Sequence, residues 1–253
     1  MQKDERSTKS PALKELTLKV VHDNNPFDNR LKTAWGFAVV ISGAARTILF
    51  DTGSDDTLLL ENMARMGVDP AGIDSVVLSH SHADHTGGLL GFLRANPAVE
   101  VFLLKSFPDR FKQTVHRYSA RVVGVEWPQQ IGVNVDSTGS MGRRIAEQAL
   151  VIHTERGLMV LTGCAHPGIE RIVETVRASH DEDILLVMGG FHLEWAGRRR
   201  IERIVRTFHR LGVRYVAPTH CTGERATDLL RKQFGDRLLG VGVGKTIALA
   251  DLK

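Results

Sequence analysis

Four metal-binding side chains fall within six residues, His80-Ser81-His82-Ala83-Asp84-His85, directly after the short apolar run Ser75 to Leu78. No other feature narrows the possible folds as much. In extended backbone successive side chains alternate, so His80 and His82 point to the same side of the chain. Asp84 and His85 follow as the chain turns toward a helix expected from Gly88 to Arg94. Imidazole nitrogen and carboxylate oxygen are the usual donors to catalytic zinc. Four of them exceed what one open catalytic ion takes from a single segment, and two neighbouring ions use them all. A solvated His-rich loop is the competing reading, and it leaves the spacing without a reason.

Three further histidine motifs stand at the ends of expected strands. Thr162-Gly163-Cys164-Ala165-His166 follows LMVLT, Gly189-Gly190-Phe191-His192 follows ILLVM, and Pro218-Thr219-His220-Cys221-Thr222-Gly223 follows VRYVA. Ligands gather at strand carboxyl ends in open α/β sheets. Any one of these histidines alone reads as a hydrogen-bonded structural group. Together they place six of the eleven histidines in four strand-end motifs. The other five, His22, His116, His153, His180 and His209, sit in tail, loop or periodic positions and read as ordinary.

Around these motifs the chain divides into short apolar runs. Strands are expected at Leu16 to Val21, at Gly36 to Ser42 with Arg46 to Phe50 as a hairpin, and at Ser75 to Leu78, Val99 to Leu103 and Arg121 to Glu126. A helix with Leu59, Met63 and Met66 at i, i+4 and i+7 follows Asp51-Thr52-Gly53-Ser54. Residues 128–146 are Gly-rich and read as a long loop. Gln148 to Thr154 and Leu158 to Thr162 then read as adjacent strands, and the last third alternates helix and strand to about Phe234. Strand pairs followed by strand–helix units, early and again in the middle, describe a duplicated plan with helices outside two sheets. With 253 residues, 42% hydrophobic and 25% charged, the chain has the composition of a globular protein. We expect a tail over 1–14 and one domain over 15–253.

Two cysteines, Cys164 and Cys221, are too few for a disulfide framework and fit a reducing compartment. No signal peptide is legible in Met1 to Ser10 and no apolar run nears the roughly 20 residues of a membrane span. A cytoplasmic location without membrane contact is therefore expected. The net charge of +4 favours anionic small molecules only weakly. Arg198-Arg199-Arg200 with Arg203 and Arg206 reads as a solvated helix face, and aromatics at 6% argue against nucleic-acid binding. Gly240-Val241-Gly242-Val243-Gly244-Lys245-Thr246 imitates a phosphate loop but has Leu239 where the first glycine belongs.

The chain resembles the metallo-β-lactamase superfamily. The resemblance rests on Leu49-Phe50-Asp51-Thr52-Gly53, on Val77-Leu78-Ser79-His80 through Gly88, and on the late strand-end histidines. Leu161 through Ile169, Gly189 through Leu193 and Pro218 through Gly223 make it similar to one branch. That branch contains the dihydropterin–ribofuranosylaminobenzene-phosphate synthases and many metal-dependent hydrolases. The resemblance implies an α/β fold, an αββα four-layer sandwich of two mixed sheets with metals at one rim. It implies that His80 and His82 hold one ion with a third histidine, and that Asp84 and His85 hold a second with His220. The family usually places a bridging Asp after a Gly at a middle strand end, where this chain has Gly163-Cys164. Either Cys164 or His166 then supplies the middle ligand. Extended backbone would put both on one side, and neutral imidazole suits an open hydrolytic site, which favours His166; zinc also binds thiolate well. Cys221 would face away and pack.

Asp51 reads either as a carboxylate fixing the tautomer of a ligating histidine or as the cap of the following helix. His192 is the candidate proton donor or oxyanion partner, and with Asp84 makes the candidate catalytic pair. Two divalent cations are expected, zinc by donor type, with iron or manganese suited to the same set. The expected activity is hydrolysis of an ester-type small molecule such as a phosphoester or lactone. Two alternatives stand beside it: a synthase joining an arylamine to a dihydropterin pyrophosphate, and a metal-loaded binding module without turnover.

Overall fold

The computed structural model describes residues 12–118 and 121–253. The expected tail falls mainly on residues 1–11, which lie outside the described residues; Leu13 pairs with Thr154. The first half runs β1 (Thr17–Asp23), β2 (Phe37–Ser42), β3 (Ile48–Phe50), α1 (Asp56–Arg65), β4 (Ser75–Val77), α2 (Ala83–Thr86), α3 (Leu89–Ala95), β5 (Glu100–Leu104), α4 (Asp109–Tyr118) and β6 (Arg121–Val125). The second half runs β7 (Gln129–Gly132), β8 (Val135–Ser137), β9 (Leu150–Thr154), β10 (Gly157–Thr162), α5 (Ile169–Ser179), β11 (Ile184–Gly190), α6 (Arg198–Arg210), β12 (Tyr215–Thr219), α7 (Glu224–Phe234) and β13 (Thr246–Ala248).

Two mixed sheets result, ordered β13-β1-β2-β3-β4-β5-β6 and β12-β11-β10-β9-β8-β7. Strands β3 to β6 pair in parallel, as do β10 to β12, and helices supply the crossovers. The side-chain alternation of β10 shows why this stacks into four layers. Met159 and Leu161 join the core between the sheets, while Leu158 and Val160 join a second cluster with α5, α6 and α7. Strands β3, β4 and β5 are buried on both faces because α1 and α3 cover the side turned from the second sheet. The architecture is thus the expected α/β sandwich of two mixed sheets flanked by helices.

Two segments differ from the sequence reading. Residues 128–146 include the hairpin β7–β8, which forms the edge of the six-stranded sheet. Its strands are short and bulged, and only Ile131, Val135 and Ser137 are buried, so no period-2 pattern marks them. The segment after Leu239 ends in β13, which adds an antiparallel edge to β1 through Thr17–Ala248 and Leu18–Ile247. The Lys245 carbonyl accepts from Val20 N–H and its ammonium lies 4.7 Å from the Phe27 ring centroid, a strand-edge arrangement unlike a phosphate loop. The arginines of α6 are exposed, and Arg198 pairs with Glu202 at 2.7 Å. No helix among the described residues is long and apolar enough to cross a membrane.

Truncating Leu161 to Ala removes buried volume between the sheets, where neither rigid layer can close the gap. We expect a loss of about 2–5 kcal/mol in urea unfolding, with the m-value unchanged. A loss below about 1 kcal/mol would contradict the inter-sheet placement.

Candidate metal centre

Strand ends from both sheets meet at one rim. There Asp51, Ala165, His192 and His220 have φ values of 58°, 57°, 50° and 51°. Non-glycine residues rarely adopt this region, and such strain persists where surrounding structure imposes it. Asp51 follows β3, the His80 run follows β4, Gly163 to His166 follow β10, His192 follows β11 and His220 follows β12.

The side chains gather into two adjoining groups. In the first, His80, His82 and His166 each offer a donor atom within 4.8 Å of the others. The His80 and His166 Nε2 atoms lie 3.2 Å apart. In the second, Asp84, His85, Cys164 and His220 meet the same limit. His85 Nε2 lies 3.1 Å from Cys164 Sγ and His220 Nε2 lies 3.2 Å from Asp84 Oδ2. His80 and His85 rings are 4.2 Å apart, so the groups touch.

Cys164 and His166 therefore do not compete for one position. The left-handed turn at Ala165 breaks the extended backbone that would have aligned them, and each enters a different group. Cys221 does not turn away to pack alone. It is buried beside Cys164 and His192 in a third cluster of donors.

Hydrogen bonds set the tautomers. Asp51 Oδ2 lies 2.7 Å from His85 Nδ1 and accepts from Ser79 Oγ at 2.7 Å, while Oδ1 accepts from Ser79 N–H at 2.7 Å. A carboxylate accepts, so His85 Nδ1 carries the proton and Nε2 presents its lone pair to the group. Asp51 is not the helix cap; Asp55 is, accepting from Leu58 N–H at 2.8 Å. Asn24 Oδ1 likewise lies 2.7 Å from His220 Nδ1. Trp35, whose ring leans on His220 at 4.9 Å, donates Nε1–H to Asp84 Oδ2 at 3.0 Å.

Charge states follow from burial and partners. Burial and the neighbouring histidines hold His80 far below the usual imidazole range, and burial holds His166 at about 4. Both are neutral donors at pH 7. Burial opposes charge on His85, but Asp51 outweighs it and raises the ring. Burial also opposes ionisation of Asp84, yet the nearby His220 and His85 rings hold it below the carboxylate range. Cys221 beside it, with burial, pushes the Cys164 thiol up; a bound cation inverts that preference. His220 Nε2 is buried with no hydrogen-bond partner. A buried orphan nitrogen aimed at a carboxylate and a sulfur is what a divalent cation satisfies, so the donor set fits metal.

Three residues of the site are not legible as such in the sequence. Glu147 is buried before β9. Its Oε1 accepts from the N–H groups of Gly163, Cys164 and Ala165 at 2.9–3.0 Å, and Oε2 from that of His166 at 2.8 Å. Burial pushes its carboxyl up to about 7 against the pull of these donors. Ser79 links Asp51 to His80 Nδ1 at 2.9 Å, and Asn24 is the partner of His220. The one hint was an acidic residue at the mouth of an apolar run, IAEQALVI. Gly163 also admits no side chain: a Cβ there would overlap Ser79 Oγ.

Residues 36–181 match the family model of the metallo-beta-lactamase superfamily, and the chain belongs to that superfamily. Its members bind divalent metals and are typically metal-dependent hydrolases. The chain is 27% identical to 7,8-dihydropterin-6-methyl-4-(beta-D-ribofuranosyl)-aminobenzene-5'-phosphate synthase of Methanocaldococcus jannaschii, covering 88% of this chain and 92% of that one. Among solved structures it resembles Tm1679, a metal-dependent hydrolase of the beta-lactamase superfamily, with TM-score 0.78 and 30% identity over 92% of this chain and 98% of that one. The fold is shared with the metallo-beta-lactamase fold protein YhfI from Bacillus subtilis, at TM-score 0.68 and 15% identity over 92% and 99% of the two chains.

Glu147→Gln replaces an acceptor-only group by one with an amide that faces a backbone N–H. We expect a loss of about 2–3 kcal/mol in stability. Because the 163–166 turn carries two donors, we also expect roughly 10–100-fold weaker metal binding in a chelator competition titration. Unchanged affinity would show that the turn holds without the carboxylate.

Proposed function

We propose that this chain is a dinuclear metal-dependent hydrolase acting on an ester-type small molecule, a phosphoester or a lactone. The observation that carries the reading is the pair of adjoining donor groups, His80/His82/His166 and Asp84/His85/Cys164/His220, with His220 Nε2 buried and unpartnered. Zinc suits these nitrogen, sulfur and carboxylate donors best. Two such cations, when bound, supply Lewis acidity and lower the pKa of water toward neutrality.

The chain's own residues do the rest. Asp51 and Asn24 keep His85 and His220 in the tautomers that present Nε2. Asp84, the one carboxylate in the two groups, offsets cationic charge where the nucleophile is prepared. His192 is exposed, with its ring 4.6 Å from that of His166, and Cys221 beside it raises its pKa above the usual imidazole value. A protonated ring at the mouth can give its proton to a departing oxygen. A cavity of about 490 Å³ opens beside Trp35 and His220, lined by Asn24, Asn25, Glu194 and Arg231, and has room for a small substrate.

The identity to the aminobenzene-phosphate synthase favours a second reading, a synthase that couples an arylamine to a dihydropterin pyrophosphate. Assay of metal-replete protein with phosphodiester and lactone panels, and separately with that pair of substrates, separates the two. Coupled product without hydrolysis would replace the hydrolase reading.

His82→Ala and Asp84→Ala should lose bound metal and turnover together by elemental analysis and assay. His192→Gln should keep its metal while kcat falls by roughly 10²–10⁴. An acid must be protonated to act, so the wild-type rate should fall as pH rises past the raised His192 value, and His192→Gln should lack that alkaline limb. Full activity in metal-free His82→Ala would overturn the mechanism.

A further inference from the structure

A fourth group of donors lies outside the rim site, on the outer face of the six-stranded sheet. Val135 and Ile152 point into the core between the sheets, so by alternation Asp136 on β8 and His153 on β9 point outward. His153 stands at the end of β9 remote from Glu147 and is paired with Leu158 at the start of β10. There the carboxyl-terminal end of α5 brings in His180. Asp136, His153 and His180 each offer a donor atom within 4.8 Å of the others, and all three are half-buried.

Their hydrogen bonds suit a cation site. His180 Nδ1 lies 2.9 Å from the Val176 carbonyl, which can only accept, so Nδ1 carries the proton and Nε2 is a free lone pair. His153 Nδ1 lies 3.4 Å from Glu182 Oε1, and its Nε2 lies 2.9 Å from Asp136 Oδ2. A neutral ring can donate to only one of the two carboxylates. In the metal-free chain the shorter contact has Nε2–H donating to Asp136, and the two carboxylates together raise the ring's pKa; a cation can take the place of that proton, with Nδ1–H then donating to Glu182. Ligating histidines characteristically donate their other N–H to a carbonyl or carboxylate, and both rings here have such an acceptor beside Nδ1, the Val176 carbonyl for His180 and Glu182 for His153. A surface cavity of about 320 Å³ adjoins the group. Gln129, Gln130, Thr138, Thr175 and Ser179 line it, so water or a small anion can reach an open coordination position.

We infer that Asp136, His153 and His180 form a peripheral zinc site that clamps the end of α5 to the β8–β9 ladder. Two imidazoles and one carboxylate with an open fourth position match the donor chemistry of zinc. A cation held there by the folded chain alone stabilises it in proportion to its occupancy. The site is separate from the proposed reaction, and substitutions here leave the rim donors untouched.

The test is zinc content after dialysis against buffered micromolar free zinc, for wild type, His180→Ala and Asp136→Asn, with His180→Gln as a volume-conserving control should the alanine variant misfold. Wild type should hold one zinc per chain more than each variant. Its thermal midpoint should exceed theirs only when zinc is present, while activity stays equal. Equal zinc contents, or a difference appearing only at millimolar zinc, would overturn the site. The readout is a difference between chains with the same rim residues, so it does not depend on how many ions the rim holds.

Discussion

Two buried carboxylates organise the rim, and the remaining geometry depends on them. A carboxylate taken out of water must recover its lost solvation from nearby donors or it does not remain charged. Asp51 recovers it from Ser79 and His85, and Glu147 recovers part of it from four consecutive backbone N–H groups. In each case the group that satisfies the carboxylate is also the group that must be aimed. Asp51 orients His85, and through Ser79 reaches His80. Glu147 fixes the turn that sends Cys164 and His166 to different places. The solvation requirement of an acid is thereby converted into the placement of donors from both sheets.

That conversion explains where the strain sits. Among the described residues, four of the non-glycine residues in the left-handed region lie at strand ends of the rim, and the other, Asn134, lies in the β7–β8 hairpin turn. Each strand must stop abruptly and turn its next side chain inward, and the left-handed conformation does this in one residue. The rigid sandwich beneath, with its apolar core shared by both sheets, supplies the stability that such turns cost. The same core tolerates a site assembled from residues as distant in sequence as Asn24 and His220.

Much of this is legible in the amino-acid sequence. The strands β2, β4, β5, β10 and β11 stand out as apolar runs, and α1, α5 and α6 as periodic ones. The histidines advertise themselves by standing just past those runs. The hairpin β7–β8 and the strand β13 were not legible, because edge strands need few buried side chains and are held by backbone pairing that carries no residue signature. Glu147 carries little sequence signal for a related reason. Its partners are main-chain N–H groups, which every residue has, and nothing in the identities of Gly163, Cys164 or Ala165 says that they will point at one carboxylate.

By itself, then, the amino-acid order determined the layers, the family resemblance and the candidate donors His80, His82, Asp84, His85, Cys164, His166 and His220. Those depend on local periodicity and on residue chemistry, both of which are written in the chain. Only the tertiary structure decided how the donors are shared: Cys164 with Asp84, His85 and His220, and His166 with His80 and His82. Sorting them required the sign of one backbone dihedral at Ala165, and that sign is imposed by a carboxylate arriving from another strand. A long-range constraint of this kind leaves no trace in the residues it constrains.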